Sequence, residues 1–267
     1  MTNRVAHVLP DSSTPTSTQW SRRTNKRAFA MLSTVATGLM LCTAPTSTAW
    51  AARPMITDDA RIVDPKSCQV ESWVRRETDR TELWALPGCN VGDVVELTAG
   101  GGRFNEAGGA HASDLLIQAK ALLRPLKTNS WGATVSVGHV AHRTLGGAAA
   151  AKDYYINLPL SLSLLDDRVT LHSNTGWLRE GSTGRDRATR GLAAETQLHP
   201  RVGLVTEAFG QVSRDSFYQL GLRFWVVPDR VQIDTTYGNR FGNSVNGSAQ
   251  ARWFSIGLRL LSPAFLP

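Results

Sequence analysis

The sequence predicts an all-β fold, a transmembrane antiparallel up-and-down β-barrel of about twelve strands that follows an N-terminal signal peptide. Three observations carry this. Apolar and polar residues alternate with period two in segments of about ten residues, as in strands with one face in lipid and the other in a wet lumen. Turn residues separate the segments, and tight links alternate with long polar ones. The chain also opens with the parts of a secretory leader.

The leader is read over residues 1–51. Arg22, Arg23, Lys26 and Arg27 form a basic cluster, 28–44 is mainly apolar, and Ala49-Trp50-Ala51 provides an A-x-A cleavage site. The apolar run is broken by Ser33, Thr34, Thr37 and Gly38. It is thus shorter than the ~20 residues a membrane-spanning helix requires. Cys42 follows Leu41 and makes a poor lipoprotein box, because a small residue belongs before that cysteine. The formal net charge of the chain is +7, and the leader holds five basic residues and one acidic, so the mature chain keeps +3. An excess that small and dispersed gives no argument for nucleic acid, and none is expected as a partner.

Twelve strands are expected near 68–76, 81–89, 94–102, 114–124, 131–142, 153–164, 168–178, 190–198, 202–212, 217–227, 230–238 and 251–261. In the clearest, Tyr154, Ile156, Leu158, Leu160, Leu162 and Leu164 share one face, opposite Asn157, Ser161 and Ser163. Tight links at Leu165-Asp166-Asp167, His199-Pro200-Arg201 and Pro228-Asp229 alternate with long polar links over 103–113, 143–152, 179–189 and 239–250. With an even strand count, both termini and the segment 52–67 are expected in the periplasm, with the long links outside. Residues 262–267 form a C-terminal tail beyond the barrel, 68–261. A soluble β-sandwich or lipocalin also alternates, but it turns its apolar face inward. Here the polar face is rich in Gly, Ser, Asn, Gln and charge.

Links fix register, and register fixes which side chains meet. If the first hairpin turns on Glu77-Thr78-Asp79-Arg80, then Arg75 meets Glu82, Val74 meets Leu83, Trp73 meets Trp84 and Cys68 meets Cys89. One register thus yields a charge pair, an aliphatic pair, an aromatic pair and a disulfide, as suits an oxidising compartment. A turn on Pro228-Asp229 sets Arg223 opposite Asp234. A link on Arg214-Asp215-Ser216 sets Glu207 opposite Arg223. The expected lumen row is Glu207–Arg223–Asp234, either a charged constriction or an internal brace. Likewise Ser161 falls opposite His172, a polar lumen pair, with Asn174 on the same face. No oxyanion donors accompany it, so a hydrolase is a remote alternative. No metal site is expected, since His139 and His142 point to opposite faces of a strand. No cofactor is implied. Trp131, Tyr154, Trp177, Tyr237 and Phe254 are expected in interfacial girdles, and Trp73, Trp84, Trp225 and Trp253 inside.

Arg53-Pro54-Met55-Ile56-Thr57-Asp58-Asp59-Ala60, followed by Cys68-Gln69-Val70-Glu71-Ser72-Trp73, resembles the opening of a bacterial outer-membrane transporter family labelled phenol-degradation meta-pathway proteins. Leu204-Val205-Thr206-Glu207-Ala208-Phe209-Gly210 and Gln219-Leu220-Gly221-Leu222-Arg223-Phe224-Trp225 are similar to its later strands. The resemblance implies an outer-membrane barrel passing hydrophobic or aromatic compounds, and no catalytic residues. Two functions stay open: a passive channel for small solutes, and a plugged structural or surface-interaction barrel. The expected partners are outer-membrane lipid and lipopolysaccharide; Arg179, Arg185, Arg187 and Arg190 either meet its phosphates or form an ordinary solvated loop. The barrel-assembly machinery is expected to read Phe254-Ser255-Ile256-Gly257-Leu258-Arg259-Leu260, and a small-molecule solute is the last expected partner.

Overall fold

The computed structural model describes residues 55–106, 111–144, 151–242 and 252–266. The expected leader lies outside them, as do the tips of three of the long links. The chain forms twelve strands: β1 (Cys68–Glu77), β2 (Arg80–Asn90), β3 (Val95–Glu106), β4 (His111–Arg124), β5 (Trp131–Thr144) and β6 (Ala151–Leu164), then β7 (Val169–Glu180), β8 (Arg185–His199), β9 (Val202–Gln211), β10 (Ser216–Val227), β11 (Val231–Arg240) and β12 (Trp253–Leu261). Each pairs antiparallel with its sequence neighbours, and β12 pairs with β1 to close the barrel. Among the described residues no helix is long and apolar enough to cross a membrane.

The alternation sorts the two faces. On β10, Leu220, Leu222, Phe224 and Val226 are exposed on the outside, while Gln219, Arg223 and Trp225 are buried inside. On β6, Leu160, Leu162 and Leu164 point out, and Ser161 and Ser163 point in. Each such leucine transferred from water into hydrocarbon contributes roughly 1.5–3 kcal/mol. This face is therefore stable in lipid and unfavourable in water. Tyr154, Trp177, Tyr237 and Phe254 lie outward at the end away from Cys68 and Leu261, and Trp131 lies outward at the other rim, stacked under Arg124 at 4.2 Å. The expected inward tryptophans also hold: Trp225 and Trp253 are buried, and Trp73 stacks on Trp84 with centroids 5.7 Å apart.

The first hairpin has the expected register throughout, from Arg76 opposite Thr81 to Cys68 opposite Cys89, which are disulfide-bonded. The long links are shorter than expected. The stretch 179–189 is not a loop: β7 and β8 continue through it to a turn over 181–184, with Arg179 opposite Asp186 and Glu180 opposite Arg185. Strands likewise extend into 103–113, 143–152 and 239–250. Apolar alternation stops at the membrane boundary, whereas the hydrogen-bonded ladder runs on with charged side chains.

The segment 52–67 departs most from expectation. Its described part, from Met55, lies inside the barrel, not beyond it. Thr57, Asp59, Ala60 and Val63 are almost wholly buried. The C-terminal tail folds back at the end where β1 starts and β12 ends: Ser262 N donates to Cys68 O at 2.9 Å, and Phe265 N to Lys66 O at 2.9 Å. Reduction should therefore add the mass of two hydrogens to protein purified from its native membrane. Non-reducing peptide mapping should link Cys68 to Cys89, and two free thiols would refute the bond.

Candidate functional site

The barrel interior is the one polar surface that the strands build together, and residues 55–63 run through it. Its wall recognises their backbone. Glu207 on β9 accepts from Ile56 N (3.0 Å) and Thr57 N (2.7 Å). Asn174 on β7 accepts from Asp58 N and returns a bond to Asp58 O. Ser161 on β6 accepts from Ala60 N at 2.8 Å, and Glu96 on β3 from Val63 N at 2.8 Å. Asn90 on β2 and Thr134 on β5 donate to the carbonyls of Val63 and Asp59. A buried peptide group left without a partner costs about 1–3 kcal/mol, and here strand side chains take the place that a neighbouring strand would fill. Lys120 on β4 adds charge, with Nζ 2.8 Å from Asp58 and 3.2 Å from Asp59. Close approach to β8 depends on Gly191, where an added Cβ would lie 2.6 Å from Thr57 Oγ1.

A second network lies within the wall. Arg223 Nε is 2.8 Å from Asp234 Oδ1, and its Nη1 is 2.7 Å from Glu195 Oε1. Gln232 holds the other Asp234 oxygen at 2.8 Å. The expected Arg223–Asp234 pair is thus present, but Glu207 is not its third member. Ser216 pairs with Gly210, so Glu207 faces Gln219 and Gly203 faces Arg223. The expected three-residue link was wrong because Val212–Asp215 makes the turn, with Ser213 in the left-handed region at φ 63° and Arg214 N bonded to Gln211 O. Gly203 has no side chain to intervene, and the guanidinium reaches past β9 to Glu195 on β8.

Ser161 and His172 pair as expected, with Oγ 2.7 Å from Nδ1. Ser161 Oγ thus bonds both Ala60 N and His172 Nδ1. His172 Nε2 lies 3.7 Å from Glu195. The serine is 2% exposed and covered by the backbone of 55–63, so it binds that segment and offers no face to a substrate. His139 lies on the outer face beside Tyr154, and His142 faces the lumen between Asp114 (2.9 Å) and Asp153 (3.2 Å).

Beyond Met55 the lumen widens into a vestibule of about 760 Å³ toward the end away from Cys68 and Leu261. Trp73 and Trp84 line one wall, Phe209 and Phe217 another, with Tyr155 and Leu116 between them. Its charges are largely matched: Arg75 to Glu82 at 2.7 Å, His142 to Asp114, and Arg240 to Asp215 at 3.5 Å. Sequence reasoning missed Glu195, Lys120, Glu96 and the lumen position of 55–63. Residues Ile56 to Ala60 carried no strand or turn signal that would have placed them.

This is the fold of outer-membrane barrels. A KdgM porin solved with disordered oligogalacturonate is similar, with a TM-score of 0.51 and 10% identity over 73% of this chain and 98% of that one. The NanC porin gives 0.52 and 12% over 72% and 98%. An outer membrane channel from Pseudomonas putida F1 gives 0.52 and 11% over 76% and 97%. The chain itself belongs to the family described as "Uncharacterised conserved protein UCP029691", whose model matches residues 39–261. No curated protein matches its sequence. The likeness supports the barrel class, and the phenol-degradation label finds no support in it.

Arg223→Ala should leave Glu195 and Asp234 buried without their cation, at a cost of about 3–5 kcal/mol. Glu207→Ala should cost less stability but make residues 55–63 accessible to protease in the folded barrel. Urea unfolding in detergent and limited proteolysis read the two effects. Equal stability loss with no new cleavage would remove Glu207 as an anchor of the segment.

Proposed function

We propose that the protein is a passive outer-membrane channel for small solutes whose lumen is closed in this structure by residues 55–63. The observation that carries this is how the segment is held. It pairs with no strand among the described residues; Met55 packs against Ala193 and Val205, and Ala60 and Val63 are also buried. The remaining hold is hydrogen bonds and ion pairs that water can replace when the segment leaves. The vestibule suggests the solute: facing aromatic walls and mutually neutralised charges favour a neutral ring-bearing compound over an ion. The number of buried bonds to 55–63 favours a second reading, a permanently plugged structural or surface-interaction barrel.

In planar bilayers the full chain should be closed most of the time, and the Lys120→Ala/Glu207→Ala variant should raise open probability at least tenfold. Swelling of proteoliposomes in a neutral aromatic solute should rise in parallel. A folded variant that conducts nothing and passes no solute would favour the plugged barrel.

Placement in the outer membrane, export by the leader 1–51 and strand-mediated assembly through β12 belong to the same proposal. The start of β1 and the C-terminal tail then lie on the periplasmic side, and the turn 181–184 faces outward. Ser182 is exposed with no side-chain bond in the structure, so Ser182→Cys should react with an impermeant maleimide on intact cells. Labelling only after outer-membrane permeabilisation would reverse the orientation.

A further inference from the structure

Cations at the rim away from Cys68 and Leu261 fall into two groups. Most of those facing the lumen are paired with carboxylates: Arg75 with Glu77 and Glu82, Arg187 and Arg214 with Glu180 at 3.4 Å, Arg240 with Asp215; Arg185, at the turn, is the exception. Those on the outer face are not. Arg76, Arg103, Arg143, Lys152 and Arg190 have no carboxylate partner among the described residues, and Arg179 alone has one, Asp186 at 3.0 Å. Exposure alone would not separate the groups this way, because both lie at the same end of the barrel.

Register makes the outer cations a continuous surface. Arg103 on β3 faces Ser113, which faces Arg143 on β5. Lys152 on β6 faces Ala141, one outward position from Arg143. Arg179 on β7 faces Tyr154, the next outward residue after Lys152. With strands about 4.8 Å apart, β3 to β7 spans about 20 Å. The belt begins where the apolar face ends, just beyond Tyr154 and Trp177. Leu115, Ile117, Val137 and Ile156 cover the sheet below it. Long basic side chains at that height keep their stems on the apolar surface and their charges among lipid headgroups.

We propose that this belt binds the headgroup of an outer-leaflet glycolipid bearing several phosphates. The unpaired guanidinium groups of Arg103 and Arg143 can match phosphate oxygens bidentately, with Lys152 as a point charge beside them, and one phosphodiester would leave most of these cations unmatched. The surface differs from the Arg185 and Arg187 positions suggested by sequence, since Arg187 is held inward by Glu180. The inference rests on the outer-membrane reading above.

The test uses the full chain in detergent with bis-phosphorylated lipid A, the same lipid dephosphorylated, and phosphatidylglycerol, with retained lipid counted by native mass spectrometry. The bis-phosphorylated lipid should bind at least tenfold tighter than either other probe. The variant Arg103→Ser/Arg143→Ser/Lys152→Ser alters neither the lumen nor the segment 55–63. It should lose that preference while inserting normally into phosphatidylcholine vesicles. Equal retention by variant and parent, or equal affinity for phosphatidylglycerol, overturns the proposal. Failure of the parent chain to insert into phosphatidylcholine vesicles would instead refute the membrane reading beneath it.

Discussion

Pairing of β12 with β1 is the constraint on which the rest of this structure depends. A strand in hydrocarbon has no water to satisfy its peptide groups, and an open edge there costs several kcal/mol per group. Register from Gln69 opposite Leu261 to Glu77 opposite Trp253 removes that edge. Once the sheet is closed, its outer face must be apolar and its inner face is free to be polar. The leucines of β6 and β10 and the buried polar residues of the same strands are two consequences of one closure.

Closure also creates a difficulty that residues 55–63 resolve. Twelve inward polar faces converge on a lumen too wide for them to satisfy each other fully, because cross-strand pairs reach only their neighbours. A length of irregular backbone, bent at Ile56, Thr57 and Ala60, supplies N–H and C=O groups along the barrel. Glu207, Asn174, Ser161, Thr134 and Glu96 use them from five different strands. Backbone recognition holds the segment alongside the burial of Met55, Ala60 and Val63.

Legibility in the sequence followed local physics. Strand number, face and the register of the first hairpin could be read because period-two alternation and a short turn determine them. The Ser161–His172 and Arg223–Asp234 pairs followed from tight links at 165–168 and 228–229. The β9–β10 register failed because nothing local distinguishes a turn over Val212–Asp215 from one two residues later, and both put Glu207 and Arg223 on the inner face. Such a slip preserves burial and changes only partners, so hydrophobic pattern cannot detect it. Strand ends past the girdle were missed for a related reason: Arg179 and Asp186 continue the ladder without apolar residues. The path of 55–63 depends on groups up to 151 residues away, which no local pattern encodes.

The two buried networks differ in what they would do if the lumen opened. Arg223, Glu195 and Asp234 all belong to strands, so their ion pairs survive removal of the segment and keep the wall rigid. Glu207 and Lys120 owe much of their satisfaction to the segment itself. Its departure would leave a carboxylate and an ammonium facing the lumen, which water must then solvate. An open state is therefore a hydrated one, in which backbone bonds are exchanged for water and Met55, Ala60 and Val63 lose their burial. That exchange is close to balanced for most protein hydrogen bonds, and so a segment buried this deeply can still be displaceable.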